Sequence, residues 1–151
     1  MSDQPIRSFE VAPVPKTGFI GRLFGRVPPE TAFVEVRNIL ATTTFEQVRD
    51  SDIAGVLAKA KLLCRDVTKE LAGIFEHAAL LLSADRELSD RDRRGLATLQ
   101  RAFELTDDEA ANAMESAVGQ IFERTMREAL SDGTFTEKRR LASKRPQKLS
   151  A

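Results

Sequence analysis

The chain has 151 residues, of which 42% are hydrophobic and 30% are charged. This balance is typical of one globular domain and excludes a wholly disordered chain. No apolar run approaches the roughly 18 residues needed to span a bilayer, and the N-terminus lacks the apolar segment of a secretory signal. We therefore expect a cytoplasmic protein, either free or peripheral to a membrane or a larger assembly.

The formal net charge is zero, but the charges are unevenly distributed along the chain. Four basic and two acidic residues lie in positions 1–28, and six basic residues without an acid lie in positions 138–151. The region between them is therefore acidic. An acidic body repels a phosphate backbone, so nucleic acid is not an expected partner.

The first 29 residues are interrupted by helix-breaking residues. These are Pro5, Pro13, Pro15, Gly18, Gly21, Gly25, Pro28 and Pro29. No further proline occurs before Pro146. The sequence thus predicts a flexible arm over 1–28, a helical domain over 29–143 and a basic tail over 144–151.

The first predicted helix covers residues 30–41, with Pro29 in its first turn. A short turn is expected over 45–48, where Thr44 and Gln47 have the spacing of a capping box. Both elements lie at the N-terminal end of the predicted domain.

The second long helix is predicted over 52–64, where apolar residues follow the 3.6-residue period and Cys64 falls on the apolar face. Asp66 is expected to cap the next helix, which ends near Ser83. The apolar face of this helix consists of Val67, Leu71, Ile74, Phe75, Ala78, Leu81 and Leu82.

Two further helices are predicted from capping boxes, one at Ser89 with Asp92 and one at Thr106 with Glu109. A final helical segment is expected over 136–143. The apolar residues assigned to the long helix after Thr106 are Ala110, Met114, Ala117, Val118, Ile121, Ala129 and Leu130.

An internal repeat relates two parts of this helical region. Ile-Phe-Glu occurs at 74–76 and recurs 47 residues later at 121–123, and acidic and glycine positions of 52–57 recur at 92–97. Stacked helical hairpins bury a shared core. The predicted fold class is therefore all-α, a compact bundle of about five to seven helices built from two related hairpins, with flexible terminal tails.

The stretches SADRELS at 83–89 and ELTDDEA at 104–110 resemble the TerB-like helical domain of tellurite-resistance proteins. The continuation IFER at 121–124 and ALSDG at 129–133 is also similar to the helical repeats of the large inner-envelope subunit of the chloroplast protein-import machinery. Arg86 occupies the position where the TerB-like family prefers glycine. The resemblance implies a bacterial-type scaffold or interaction module.

The resemblance also implies divalent-ion binding through acidic loops, for which Asp85 and Asp132 are the candidates. A calcium loop that began at either aspartate would place Leu96 or Ser143 at its twelfth position, where a bidentate carboxylate is needed. We therefore interpret both aspartates as helix caps and expect neither a metal nor a cofactor.

Cys64 and His77 lie on neighbouring predicted helices, but no oxyanion-donor motif accompanies them. No phosphate-binding loop and no dinucleotide fingerprint occur in the sequence. A core cysteine and a helix-surface histidine explain both residues. We therefore expect a protein without enzymatic activity.

The two tails carry the candidate binding residues. The arm contains an apolar and basic motif of Phe19, Ile20, Arg22, Leu23, Phe24 and Arg26, which either folds back onto the domain or anchors a partner or a membrane surface. The basic residues of the C-terminal region are Lys138, Arg139, Arg140, Lys144, Arg145 and Lys148. This run is either a solvated tail or a site for acidic protein or anionic lipid.

The sequence favours an adaptor or scaffold that binds a protein partner through its helical domain, with the arm as a tether. One alternative is a peripheral membrane protein anchored by the Phe19 to Phe24 motif and the basic tail. A second is a divalent-ion-responsive stress protein of the tellurite type, and a third is an enzyme whose site the sequence does not reveal.

Overall fold

The structure, a computed structural model, describes residues 9–14, 27–84 and 87–131. These residues form helices and no strand, so the predicted all-α class is confirmed for this part of the chain. The α-helices are α1 Pro29–Thr42, α2 Asp50–Lys59, α3 Thr68–Ser83, α4 Asp90–Ala102 and α5 Asp107–Ser131. Two short 3₁₀ turns, Phe45–Gln47 and Cys64–Asp66, lie before α2 and α3 respectively. The predicted segment 136–143 lies outside the described residues.

The helices share one core, which contains buried side chains from all five of them. Helix α3 packs against α5 and α4, α1 packs against α2, and α4 packs against the Phe45–Gln47 turn. The largest fully buried side chains are Phe75, Phe103, Ile53, Leu57, Leu71, Ile74, Leu99, Val36 and Val48. The bundle is therefore stabilised mainly by burial of aliphatic and aromatic surface.

Two predicted capping boxes are confirmed. The Asp92 amide donates to Ser89 Oγ at 3.1 Å, and the Ser89 amide donates to Asp92 Oδ2 at 3.0 Å. The Glu109 amide donates to Thr106 Oγ1 at 3.2 Å, and the Thr106 amide donates to Glu109 Oε2 at 2.8 Å. Each box satisfies amides at a helix start that have no partner within the helix.

Two other predicted caps are wrong. The Thr44 side chain makes no capping hydrogen bond, although the turn that it precedes is present. Asp66 accepts a hydrogen bond from the Leu63 amide at 2.9 Å and so closes the Cys64–Asp66 turn, while α3 begins at Thr68.

Helix α2 ends at Lys59, although the predicted helix continued to Cys64. Lys61 has a φ of 57°, and the amides of Lys61 and Leu62 donate to carbonyls of the last turn of α2 at 2.9 and 3.0 Å. This pattern is a Schellman motif. The apolar period continues past it because Ala60 and Cys64 are buried as well, so the period does not mark the end of the helix.

The same junction recurs after α4. Glu104 has a φ of 54°, and the amides of Glu104 and Leu105 donate to carbonyls of the last turn of α4 at 3.1 and 3.0 Å. In both junctions the amide two residues after the left-handed residue donates to an acid three residues further on. Leu63 donates to Asp66 in the first junction, and Thr106 donates to Glu109 in the second. The hairpins α2–α3 and α4–α5 are therefore related in their backbone hydrogen bonding.

The equivalence does not extend to burial along α3 and α5. Phe75 of the first Ile-Phe-Glu is 2% exposed, whereas Phe122 of the second is 64% exposed. Ile121 is half-buried. The phenylalanine of the triplet thus faces the core in α3 and solvent in α5.

Part of the predicted arm lies against the domain. The Ala12 amide donates to Asn38 Oδ1 at 2.8 Å, and Asn38 Nδ2 donates to the Ala12 carbonyl at 2.9 Å. The Phe9 ring lies 4.4 Å from the His77 ring and 6.2 Å from the Phe45 ring, centroid to centroid. Residues 9–14 are therefore docked through Phe9 and Ala12 on α1, α3 and the Phe45–Gln47 turn.

Candidate protein-binding surface

Most residues singled out as binding candidates lie outside the described residues. These are Phe19, Ile20, Arg22, Leu23, Phe24, Arg26, Asp85, Asp132, Lys138, Arg139, Arg140, Lys144, Arg145 and Lys148. The candidate site in the described part of the chain therefore has to come from other residues.

Cys64 is packed and held as a thiol. Its side chain is buried, and Sγ lies 3.7 Å from the Ala102 carbonyl as a hydrogen-bond donor. Burial raises the pKa of the Cys64 thiol most, and the Glu104 carboxylate raises it further. A backbone hydrogen bond lowers this pKa, and Asp50 makes the smallest contribution, which raises it. A nucleophilic cysteine needs a lowered pKa, so these surroundings suit a structural residue.

A groove of about 350 Å³ lies between the Phe45–Gln47 turn and α4. Its wall includes Glu46, which pairs with Arg91 at 3.7 Å and with Arg94 at 3.3 Å. Both guanidinium groups are therefore paired with the same carboxylate, and the three side chains together keep one positive charge.

Among residues 9–14, 27–84 and 87–131, no group of three or more His, Cys, Asp or Glu side chains is arranged to hold a metal ion. Within the same ranges, no helix is long and apolar enough to cross a membrane.

Helix α5 contains the most prominent surface feature. Its first half is anchored to the bundle, with Ala110, Ala113 and Ala117 buried. From Val118 to Ser131 none of its residues is buried. At about 1.5 Å per residue, the unburied part is roughly 20 Å long.

Four large apolar side chains lie along this unburied part at intervals of four residues. Val118 is 57% exposed, Phe122 64%, Met126 44% and Leu130 60%. We call these four residues the apolar stripe. Because a four-residue step turns a helix by only about 40° beyond a full circle, they form one continuous ridge.

The stripe faces away from the core. At roughly 100° per residue, it lies on the side of α5 opposite Ala113 and Ala117. Burial of Ala113 and Ala117 sets the rotation of α5, and Glu76 of α3 supports it, because its Oε1 accepts hydrogen bonds from Ser116 Oγ at 2.8 Å and from Gln120 Nε2. The exposure of the stripe therefore follows from how α5 is anchored.

Val118 and Leu130 are among the apolar residues predicted for this helix, but the sequence-based prediction did not separate its exposed residues from its buried ones. The signal was present as the four-residue spacing of 118, 122, 126 and 130. It was obscured because apolar residues occur on almost every side of α5, and periodicity alone does not say which side faces the bundle. Outside α5, the exposed large apolar residues of the described chain are Val11, Val14 and Leu63.

Neither a protein-family model, nor a curated protein, nor a solved structure matches this chain.

Proposed function

We propose that this protein is a cytoplasmic, non-enzymatic adaptor or scaffold that binds another protein, and that the apolar stripe of α5 is its docking surface. The main support for this proposal is that four large apolar side chains are exposed in one ridge. Isolated apolar residues are normal on protein surfaces, whereas contiguous exposed patches mark interaction sites. A helix with an i, i+4 ridge is also a common form of protein-recognition element.

The charges beside the stripe favour a protein over a lipid surface. Glu115 and Glu123 flank the stripe together with Arg127, and all three are exposed. Helices that lie on anionic membranes are flanked mainly by Lys and Arg, because acidic residues are repelled by the lipid headgroups. The mixed flank instead suits polar contacts at the rim of a protein interface.

The tethering role of the N-terminal motif Phe19 to Phe24 remains part of the proposal, although that motif lies outside the described residues. Residues 9–14, which precede the motif in sequence, are held on the bundle by the Ala12–Asn38 hydrogen bonds. A short tether raises the effective concentration of a second binding site.

The test is a binding comparison between the full chain and a variant in which Phe122 and Met126 are both replaced by Ser. Proteins retained by immobilised full chain are identified by mass spectrometry, purified, and titrated against both forms. We expect the variant to bind at least about tenfold more weakly, since truncating central apolar anchors typically costs more than 1 kcal/mol. Leu63→Ser, at a residue that is 53% exposed but outside the stripe, is the matched control and should bind normally.

Equal binding by both forms would refute the assignment of the stripe. Salt-sensitive sedimentation of the full chain with anionic vesicles, lost in the Phe122 and Met126 variant, would instead support the membrane alternative.

A further inference from the structure

We propose that the partner docked on the apolar stripe is a second copy of this chain, packed antiparallel along α5. This inference rests on the proposed function, because it uses the same surface. It follows from the order of residues along the stripe, from the charges on its two flanks, and from the position of the bundle.

The apolar stripe of one copy matches the apolar stripe of a second copy that runs in the opposite direction. In an antiparallel pair with its twofold axis near Arg124, Val118 lies opposite Leu130 of the second copy and Phe122 lies opposite Met126 of the second copy. All four layers are apolar, and the largest side chain meets the most flexible one. A ridge built on four-residue steps also packs into the groove of an identical ridge in the commonest class of helix crossing.

The flanks of the stripe determine the orientation. One flank carries Glu115, Glu123 and Arg127, all exposed, and the other carries the uncharged Ile121, Thr125 and Ala129. In an antiparallel twofold pair each flank meets the same flank of the second copy, whereas in a parallel pair each flank meets the opposite one. Only the antiparallel arrangement therefore places Glu123 beside Arg127 of the second copy.

The direction of helical side chains favours this contact. Side chains of a helix lean towards its N-terminus, so Glu123 and Arg127 of the second copy lean towards each other across an antiparallel interface. Two symmetric Glu123–Arg127 pairs result. In the parallel arrangement these charges would face Ile121 and Thr125 and would lose water without gaining a partner.

The remainder of the bundle leaves room for a second copy. The stripe and the anchored face of α5, with Ala113 and Ala117, lie on opposite sides of the helix. The two bundles would therefore lie on the outer sides of the α5 pair. A contact about 18 Å long, from residue 118 to residue 130, buries less than the roughly 800 Å² per partner of a standard interface. The dimer is therefore expected to be weak, with a dissociation constant on the order of tens to hundreds of micromolar.

Sedimentation equilibrium of the full chain between roughly 5 µM and roughly 1 mM tests the proposal, since this range brackets the expected affinity. Interference optics are needed because the chain has no Trp and no Tyr. The weight-average mass should rise from 16.7 kDa towards twice that value. The variant with Phe122 and Met126 replaced by Ser should remain monomeric, and Leu63→Ser should dimerise like the parent chain.

Charge reversal tests whether Glu123 pairs with Arg127 of the second copy. Glu123→Arg and Arg127→Glu should each weaken the dimer about three- to tenfold, because each change opposes like charges at two symmetric places. The double variant Glu123→Arg with Arg127→Glu should recover the parent affinity to within about twofold.

Engineered cysteines test the orientation. A Val118→Cys chain mixed with a Leu130→Cys chain should form a disulfide between the two different chains, because these positions are opposed only in the antiparallel pair. Preferential Val118→Cys homodimers would show a parallel pair and overturn the proposal. Cys64 is buried and can be left in place.

A full chain that stays at 16.7 kDa across the whole range overturns the proposal, and so does a dimer that survives replacement of Phe122 and Met126. If the chain is monomeric but a purified partner still requires the stripe, self-association fails and the proposed function stands. If neither form of binding depends on the stripe, both fail.

Discussion

The two phenylalanines of the repeated Ile-Phe-Glu triplet provide a direct test of the fold. Phe75 and Phe122 have the same neighbours in sequence, yet they are 2% and 64% exposed. Replacing each by Ala removes the same atoms from two different environments. The structure therefore predicts very different losses of stability from the same chemical change.

The expected magnitudes follow from burial. Truncating a buried Phe costs about 3 to 5 kcal/mol, which is the sum of lost apolar burial and of the cavity left behind. Phe122 has only about a third of its surface covered, so at about 1.5 to 3 kcal/mol for complete burial its truncation should cost at most about 1 kcal/mol. Domains of this size are stable by roughly 5 to 15 kcal/mol, so Phe75→Ala removes a large share of the total.

Urea unfolding followed by far-ultraviolet circular dichroism measures both losses. Intrinsic Trp or Tyr fluorescence cannot be used, because the chain contains neither residue. With a slope of about 2 kcal/mol per molar urea, Phe75→Ala should lower the midpoint by about 1.5 to 2.5 M and Phe122→Ala by less than about 0.5 M. The measurement should be made at a few micromolar protein, where self-association contributes little.

Equal midpoint shifts for the two variants would refute the burial of Phe75 in α3 and the exposure of Phe122 in α5. A large loss for Phe122→Ala alone would mean that the outer face of α5 belongs to the core. Ile121 is half-buried, so Ile121→Ala should lie between the two phenylalanine variants.

Three further predictions concern a cap, a helix contact and the thiol. Thr106→Ala should lower the free energy of unfolding by about 0.5 to 2 kcal/mol. A double-mutant cycle with Glu109→Ala should show coupling, because each side chain caps the other residue's amide. Independent losses of stability would contradict the reciprocal cap. Gly95→Ala should destabilise the bundle because an added Cβ would lie 3.0 Å from a Cβ of the Phe45–Gln47 turn, whereas the control Gly73→Ala, with nothing within 4 Å, should stabilise it by about 0.5 to 1 kcal/mol. Because the pKa of Cys64 is raised above its ordinary value of 9.0, the free energy of unfolding should fall as the pH rises from that value through the higher native pKa. Alkylation by iodoacetamide at pH 9 should correspondingly be slower in native protein than in urea, and equal rates would refute the protected thiol.

Local features of this fold could be predicted from the sequence. The boxes at Ser89 and Thr106 are formed by residues three apart, so their chemistry is complete within one turn. The class and the approximate limits of the helices follow from the apolar period and from the prolines that bound the domain. These features depend on interactions close in sequence.

Features that depend on tertiary packing could not be predicted. The end of α2 is set by Lys61 in a left-handed conformation, and lysine gives no sequence signal for such a turn. The exposure of Phe122 depends on how α5 packs against α3, where Glu76 bonds to residues 40 and 44 positions away in sequence. Docking of Phe9 against His77 was missed because the prolines of the arm favoured a flexible interpretation.

The turns after α2 and α4 leave the protein less stable than the same fold would be with other residues at these two positions. Lys61 and Glu104 hold a backbone conformation that glycine adopts freely and that costs other residues about 1 kcal/mol. Glycine at both positions should therefore make the protein more heat-resistant without altering the bundle. Such unused reserve is expected when selection stops at the stability that a protein needs, and these two turns are natural starting points for thermostabilisation.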